Sequence, residues 1–332
     1  MKDSPSVDLK NRWKTNKENS ARHRGSVFSI INLLKKSPFG LHNDSMDFRG
    51  FSPKESFSNI DDYYEIKDVH VKKSDFSRSR FSTVNFYSCK FEECLFEEVI
   101  FESDTRFWSE CEFMDCTFLN ATFVNCAFNN VSFLRCTFEG TKWKTRNVFS
   151  VCTFRNCSFS SNIKNIDFSE TNFVNSKFRG VLENVTFLGW SNVPEKYFVD
   201  GKWTNVPIDC LPNRMSGVDF SEAELILCTF SQYCNLDKIK PPLTNRNCAF
   251  FITEVFYKAF ASIIEKQWEN TNAAYYENGM FFLNAFYRPD NRLPAAIAHK
   301  NDFSKKFGED FSAKFYSALC LAAREANATI NP

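Results

Sequence analysis

The chain has 332 residues and contains 39 Phe but only 18 Leu, so the usual dominance of leucine is inverted. Charge is balanced, 41 Lys and Arg against 40 Asp and Glu, which excludes the basic excess of a general nucleic-acid or membrane-surface binder. Core material is ample at 43% hydrophobic residues, yet no run reaches the roughly 18 uncharged apolar residues of a membrane span.

The opening residues, MKDSPSVDLKNRWKTNKENS, lack the apolar stretch of a secretory signal. A cytoplasmic location with reduced thiols is therefore the expectation for the 13 Cys. Residues 1–25 are polar and basic, with Arg12, Lys14, Lys17, Arg22 and Arg24 among their charges, and are too poor in apolar groups to order by themselves. Residues 26–36 follow as a short amphipathic helix or as a segment covering the start of the next domain. Residues 1–47 are thus read as an arm, with a cap, a flexible tether and a targeting signal as its three open uses.

A repeat then takes over. Phe76, Phe81, Phe86, Phe91, Phe96 and Phe101 are five apart, and Ile66 and Val71 already hold that register. After two one-residue slips through Phe107, the period resumes over Phe113, Phe118, Phe123, Phe128, Phe133 and Phe138, with Trp143 next. One more slip leads to Phe154 and Phe159, and Phe168, Phe173 and Phe178 follow a break. Two residues before each aromatic stands a small or β-branched residue: Ser74, Ser79, Val84, Cys89, Cys94, Val99, Cys111, Cys116, Ala121, Cys126. A period of five is neither helical nor a plain strand alternation. One small and one large inward position with three outward polar ones describes a solenoid of short strands around a narrow packed axis.

Stretches such as Cys-Thr-Phe-Leu-Asn (116–120), Ala-Thr-Phe-Val-Asn (121–125) and Cys-Ala-Phe-Asn-Asn (126–130) resemble the pentapeptide-repeat family, clearly over 66–187 and again over 216–250. The resemblance implies a right-handed, four-sided β-helix with four pentapeptides per coil. On that geometry Cys94, Cys116, Cys136 and Cys157 stack in one column, and Phe96, Phe118, Phe138 and Phe159 in the next. Ten of the thirteen cysteines, Cys228 and Cys248 included, fall in the small slot and are read as packing residues.

Residues 188–216 interrupt the repeat with Gly, Pro and Trp, and read as a long loop with an added strand near Trp203. The register returns at Phe220, Leu225 and Phe230, and Cys248-Ala249-Phe250 reads as its last copy, so the solenoid domain spans 48–250. From 251 to 332 the pattern is helical. Ile252, Val255, Phe256, Ala259, Phe260, Ile263 and Ile264 form one stripe, and Asn272 caps a second helix reaching Phe286. A short helix is expected over Pro294–Lys300 and a final one over Glu309–Glu325. The fold class is mainly β, a solenoid with a C-terminal α-helical module.

No catalytic set, metal site or cofactor motif emerges. The Cys-x4-Cys spacings follow from the period, the four His are scattered, and ten Gly leave little for a phosphate loop. Cys320 lies on an apolar helix face, with His299 its nearest candidate base. The outward feature is an acidic run: Glu92, Glu93, Glu97, Glu98 and Glu102 follow inward phenylalanines and are the candidate partner surface, with Arg135, Lys142, Lys144, Arg146 and Arg155 an oppositely charged counterpart. The leading reading is a non-enzymatic protein-interaction scaffold, with a second copy as a candidate partner for the C-terminal helices and no direct nucleic-acid binding. A secreted bacterial effector is the alternative. The resemblance adds a DNA-mimic modulator of a type II topoisomerase (gyrase), although residues 66–187 carry 15 basic and 15 acidic residues where a mimic needs acidic excess.

Overall fold

The computed structural model describes residues 9, 12–13, 34–52, 64–145, 147–189, 196–199, 202–205, 215–232, 234–289 and 295–330. Arg146, Cys210 and most of the expected helix at 26–36 lie outside these residues. The chain divides into two compact units, Met1–Asp167 and Phe168–Pro332.

In the first unit, three- and four-residue strands pair in parallel with strands about one coil away. Phe91, Phe113, Phe133 and Phe154 are successive ladder partners, and so are Ile66, Phe86, Phe107, Phe128 and Phe149. Phe81, Phe101, Phe123 and Trp143 make a third series, and Phe118, Phe138 and Phe159 belong to a fourth. Four series, one per side, make a four-sided coil.

The rings fill its axis. Phe96, Phe118, Phe138 and Phe159 stack nearly parallel, with centroids 4.8 Å apart at each step. Around each coil the neighbouring rings meet edge to face, as Phe113 and Phe118 do at 5.6 Å. Offset stacks along the axis and edge contacts across it satisfy the ring quadrupoles in both directions.

The small slot serves the backbone. Cys136 Sγ donates to Phe113 O at 3.3 Å, Cys157 Sγ to Phe133 O at 3.4 Å and Cys116 Sγ to Phe91 O at 3.3 Å. Thr141 Oγ1 donates in the same way to Phe118 O at 3.2 Å. In these four cases the small residue reaches the main-chain carbonyl of a ring residue one coil earlier, while Cys89 and Cys94 reach the Ile66 and Val71 carbonyls in the same way. All twelve described cysteines are free thiols.

The first coil is covered from the N-terminal side, and residues 1–25 prove not wholly unanchored. Trp13 is buried, 4.7 Å from Phe39 and 4.9 Å from Phe51, and its indole N–H donates to Arg49 O. Arg12 makes two hydrogen bonds to the Asp47 carboxylate at 2.8 and 2.6 Å. Burial raises the Asp47 pKa, but the guanidiniums of Arg12 and Arg49 outweigh it and hold the carboxyl well below the usual range. The composition of the arm concealed two residues that gain their order from the coil they cover.

In the second unit Lys177–Leu188 pairs in parallel with Asp219–Ile226 and Thr229–Ser231. Phe178 stacks on Phe220 at 5.0 Å and Phe187 on Phe230 at 4.9 Å. Partners such as Thr186 and Thr229 are more than two pentapeptide coils apart in sequence, and the excess holds an antiparallel hairpin, Lys196–Val199 with Lys202–Asn205.

Four helices follow: α1 (Glu254–Trp268), α2 (Ala273–Phe286), α3 (Ser304–Phe307) and α4 (Glu309–Glu325). Thr253 and Asn272 cap α1 and α2 by accepting from Phe256 N and Tyr275 N. Gly279 on α2 leaves room for the Trp268 ring, which would lie 2.9 Å from a Cβ there. Two expectations are corrected. Asn247–Phe251 does not extend the parallel ladder but pairs antiparallel with Ala295–His299, and the latter is a strand where a short helix was expected. Phe250 faces the helical core, 4.7 Å from Phe256, so burial there and strand pairing override the helical propensity of the Ala-rich segment.

Candidate interaction surface

With the axis filled by rings, the outward positions carry whatever the solenoid presents. The five candidate glutamates occupy three sides of one coil: Glu92 and Glu93 follow Phe91, Glu97 and Glu98 follow Phe96, and Glu102 follows Phe101. These rings belong to different columns, each stacking on its own successor, Phe113, Phe118 and Phe123. The acidic run therefore wraps around the coil and does not gather on one flat face.

Most of it is also neutralised by the preceding coil. Lys72 Nζ is 2.6 Å from Glu92, Lys73 is 3.8 Å from Glu93, and Arg78 is 3.0 Å from Glu98. Arg80 holds Glu102 with two hydrogen bonds at 2.6 and 2.9 Å. His70 adds a contact to Glu92 at 3.1 Å. The hydrogen bond from Lys72, with a further one from His70, lowers the Glu92 pKa. Glu97, half-buried, has no ion-pair partner among the described residues.

The same logic recurs further along. Lys90 faces Glu112 at 3.1 Å, its ladder partner, and Arg135 binds Asp115 through two bonds at 2.6 and 2.7 Å. Opposite charges one coil apart stand about 4.8 Å from one another, so a solenoid turns sequence spacing of about 20 into cross-strand ion pairs. Sequence reasoning set the acidic run against a later basic run and missed its pairing with Lys72, Lys73, Arg78 and Arg80 of the coil before it; the signal was the interval of 20–22 between those cations and the acids. Lys142, Lys144 and Arg155 are exposed, without an ion-pair partner among the described residues. Among those residues no three His, Cys, Asp or Glu come together as metal ligands, and no helix is long and apolar enough to cross a membrane.

No family model and no curated protein matches the chain. Solved structures similar to it include HetL, a pentapeptide repeat protein involved in heterocyst differentiation regulation from the cyanobacterium Nostoc sp.. It shares 11% identity over 66% of this chain and 94% of its own, with a TM-score of 0.27. QnrB1, a plasmid-mediated fluoroquinolone resistance protein, matches in a trypsin-treated form at 12% identity over 59% of this chain and 86% of that one, TM-score 0.24. Its full-length form matches at 14% over 55% and 80%, TM-score 0.20. The four ladders in this chain, each advancing by about four pentapeptides per coil, are its own evidence for the fold. The chain carries a pentapeptide-repeat β-solenoid.

Proposed function

We propose that this protein is a non-enzymatic scaffold that binds a protein partner through the outer surface of its solenoid. The filled axis carries this reading: Phe118, Phe123, Phe128 and Phe133 are all almost fully buried and touch in sequence around the coil, leaving no cleft there for a substrate. Lys142 and Lys144, exposed and without an ion-pair partner among the described residues, flank Trp143 on the side of the coil that Phe101 and Phe123 also occupy, and give an acidic protein surface a place to dock. A DNA mimic requires a continuous negative face, whereas here the acids of the candidate run are largely cancelled by the coil before them.

The test uses the full chain in two arms. In the first, proteins captured from a lysate are compared between wild type and Lys142→Glu/Lys144→Glu, and specific loss of a captured species is expected. In the second, purified protein is added in excess to gyrase supercoiling, with no change expected. Unaltered capture removes the proposed surface, and inhibition of supercoiling replaces the scaffold reading with the topoisomerase one.

A further inference from the structure

Two cysteines of the C-terminal module are set apart from those of the solenoid. Cys248, on the 247–251 strand, and Cys320, on α4, are both half-buried and line one open cavity of about 590 Å³. Tyr316 and Arg324 line it too, and with Cys320 they stand four residues apart on one face of α4. The expected neighbour, His299, is elsewhere: its Nε2 is engaged with Glu224 at 2.9 Å. The Cys248 and Cys320 thiols line this one cavity and shift one another's ionisation, and the Tyr316 hydroxyl, which donates to Asn245 O at 3.4 Å, acts on Cys320 as well.

The contrast in chemistry follows from the surroundings. Burial pushes the solenoid thiols of Cys126 and Cys152 up to about 12, and where stacked thiols interact one is lowered, Cys116 to about 5, while its neighbours Cys94 and Cys136 are raised; all five are at most 2% exposed and so closed to a reagent. The Cys320 thiol is lowered, by Cys248 first and then by Tyr316 and the Arg324 charge, while its partner Cys248 is raised. Cys320 is the more acidic thiol and Cys248 the less acidic, and a cavity admits a reagent to both.

We propose that Cys320 and Cys248 form a redox-active dithiol that reduces hydroperoxides and closes to a disulfide joining the 247–251 strand to α4. The Cys320 thiolate attacks the terminal peroxide oxygen; an S–O bond forms as the O–O bond breaks, and the leaving alkoxide takes a proton to become an alcohol. Cys248 sulfur then attacks Cys320 sulfur; the S–S bond forms as the S–O bond breaks, and hydroxide departs with the Cys248 proton as water. Two electrons pass from the two thiols to the peroxide, so that two thiols and one hydroperoxide give one disulfide, one alcohol and one water.

The test treats the reduced full-length protein with hydrogen peroxide, quenches it in acid with an alkylating agent, and maps its peptides without reduction. A Cys248–Cys320 linked peptide is expected, with Cys116, Cys136 and Cys157 recovered as alkylated thiols. In Cys248→Ser the sulfenic acid is expected to persist on Cys320 and to be labelled by dimedone, at least about tenfold more than any solenoid cysteine. In Cys320→Ser, Cys248 is expected to stay reduced. Wild-type protein with both thiols free after peroxide overturns the proposal without reference to any variant, and so does a Cys248→Ser protein whose Cys320 takes no more label than the buried cysteines.

Discussion

Two residues after most inward rings, the backbone turns the corner of the coil in the left-handed region: φ is 53° at Glu98, 53° at Asn120, 52° at Arg135 and 56° at Val151. Asn tolerates this conformation best after glycine, which explains Asn120, Asn125, Asn130, Asn156 and Asn175 in that slot. Val151 shares the slot with two other β-branched residues, Thr83 and Thr145, but is wholly apolar and exposed at 47%, so its side chain gains little from packing while crowding its own backbone. Val151→Asn is expected to stabilise the protein by about 1 kcal/mol, read as a higher urea midpoint at unchanged slope. The period itself was legible from the phenylalanines; the handling of the slips was not. Thr105 follows the first slip, with Oγ1 donating to Phe81 O at 3.1 Å. At the later slip, Asn147 donates to Phe123 O at 3.2 Å and accepts from Cys126 N at 2.9 Å. Each extra residue frees a main-chain group, and a neighbouring polar side chain satisfies it.

At the scale of the element, a column gains stability from continuity. Phe138 is 1% exposed and lies between Phe118 and Phe159, 4.8 Å from each, with Phe133 edge-on at 5.7 Å. Removing its ring empties a site that its neighbours in the stack cannot collapse into without breaking register. Phe138→Ala is therefore expected to cost about 3–5 kcal/mol. Glu97→Ala, outward and without an ion-pair partner among the described residues, is expected to stay within about 0.5 kcal/mol. Denaturant unfolding of both variants measures the difference, and comparable small effects would undo the inward-outward assignment. The columns could be anticipated because period and stacking share one cause, a fixed number of residues per coil. The charge pairing was harder to see, since it couples residues about 20 apart that look like separate clusters along the chain.

At the scale of the whole molecule, the second unit shows how the repeat gives way to the helical module. Asp302 accepts from Leu227 N and His299 N, both at 2.7 Å, while Glu224 on the 219–226 strand receives Arg246 at 3.2 Å and meets His299 Nε2 at 2.9 Å. Burial pushes the Asp302 carboxyl up to about 6, against these two backbone donors. The folded state therefore holds its proton more tightly than the unfolded chain does. That contribution to stability is present below about pH 4 and is lost as pH rises to about 6. Burial lowers His299 despite Glu224, and Glu224 itself is lowered by Arg246 and His299 against its burial, so both contribute in the opposite sense, losing stability as pH falls. Asp302→Asn leaves those two in place. The stability of wild type relative to Asp302→Asn is expected to fall by about 2–3 kcal/mol between pH 4 and pH 7, measured by urea unfolding across that range. A flat difference would show that folding leaves the Asp302 pKa unchanged.

The sequence by itself determined the solenoid, because a five-residue period of large and small apolar residues has one efficient way to be buried, and it determined α1, α2 and α4 through their apolar stripes and caps. Tertiary structure alone decided the rest. It drew Arg12 and Trp13 onto the first coil, turned Ala295–His299 into a strand beside Asn247–Phe251, and paired the acidic run with cations one coil before it. It also separated Cys248 from the packing cysteines and set it beside Cys320. Each of these depends on contacts between residues far apart in the chain, whose energies no local pattern encodes.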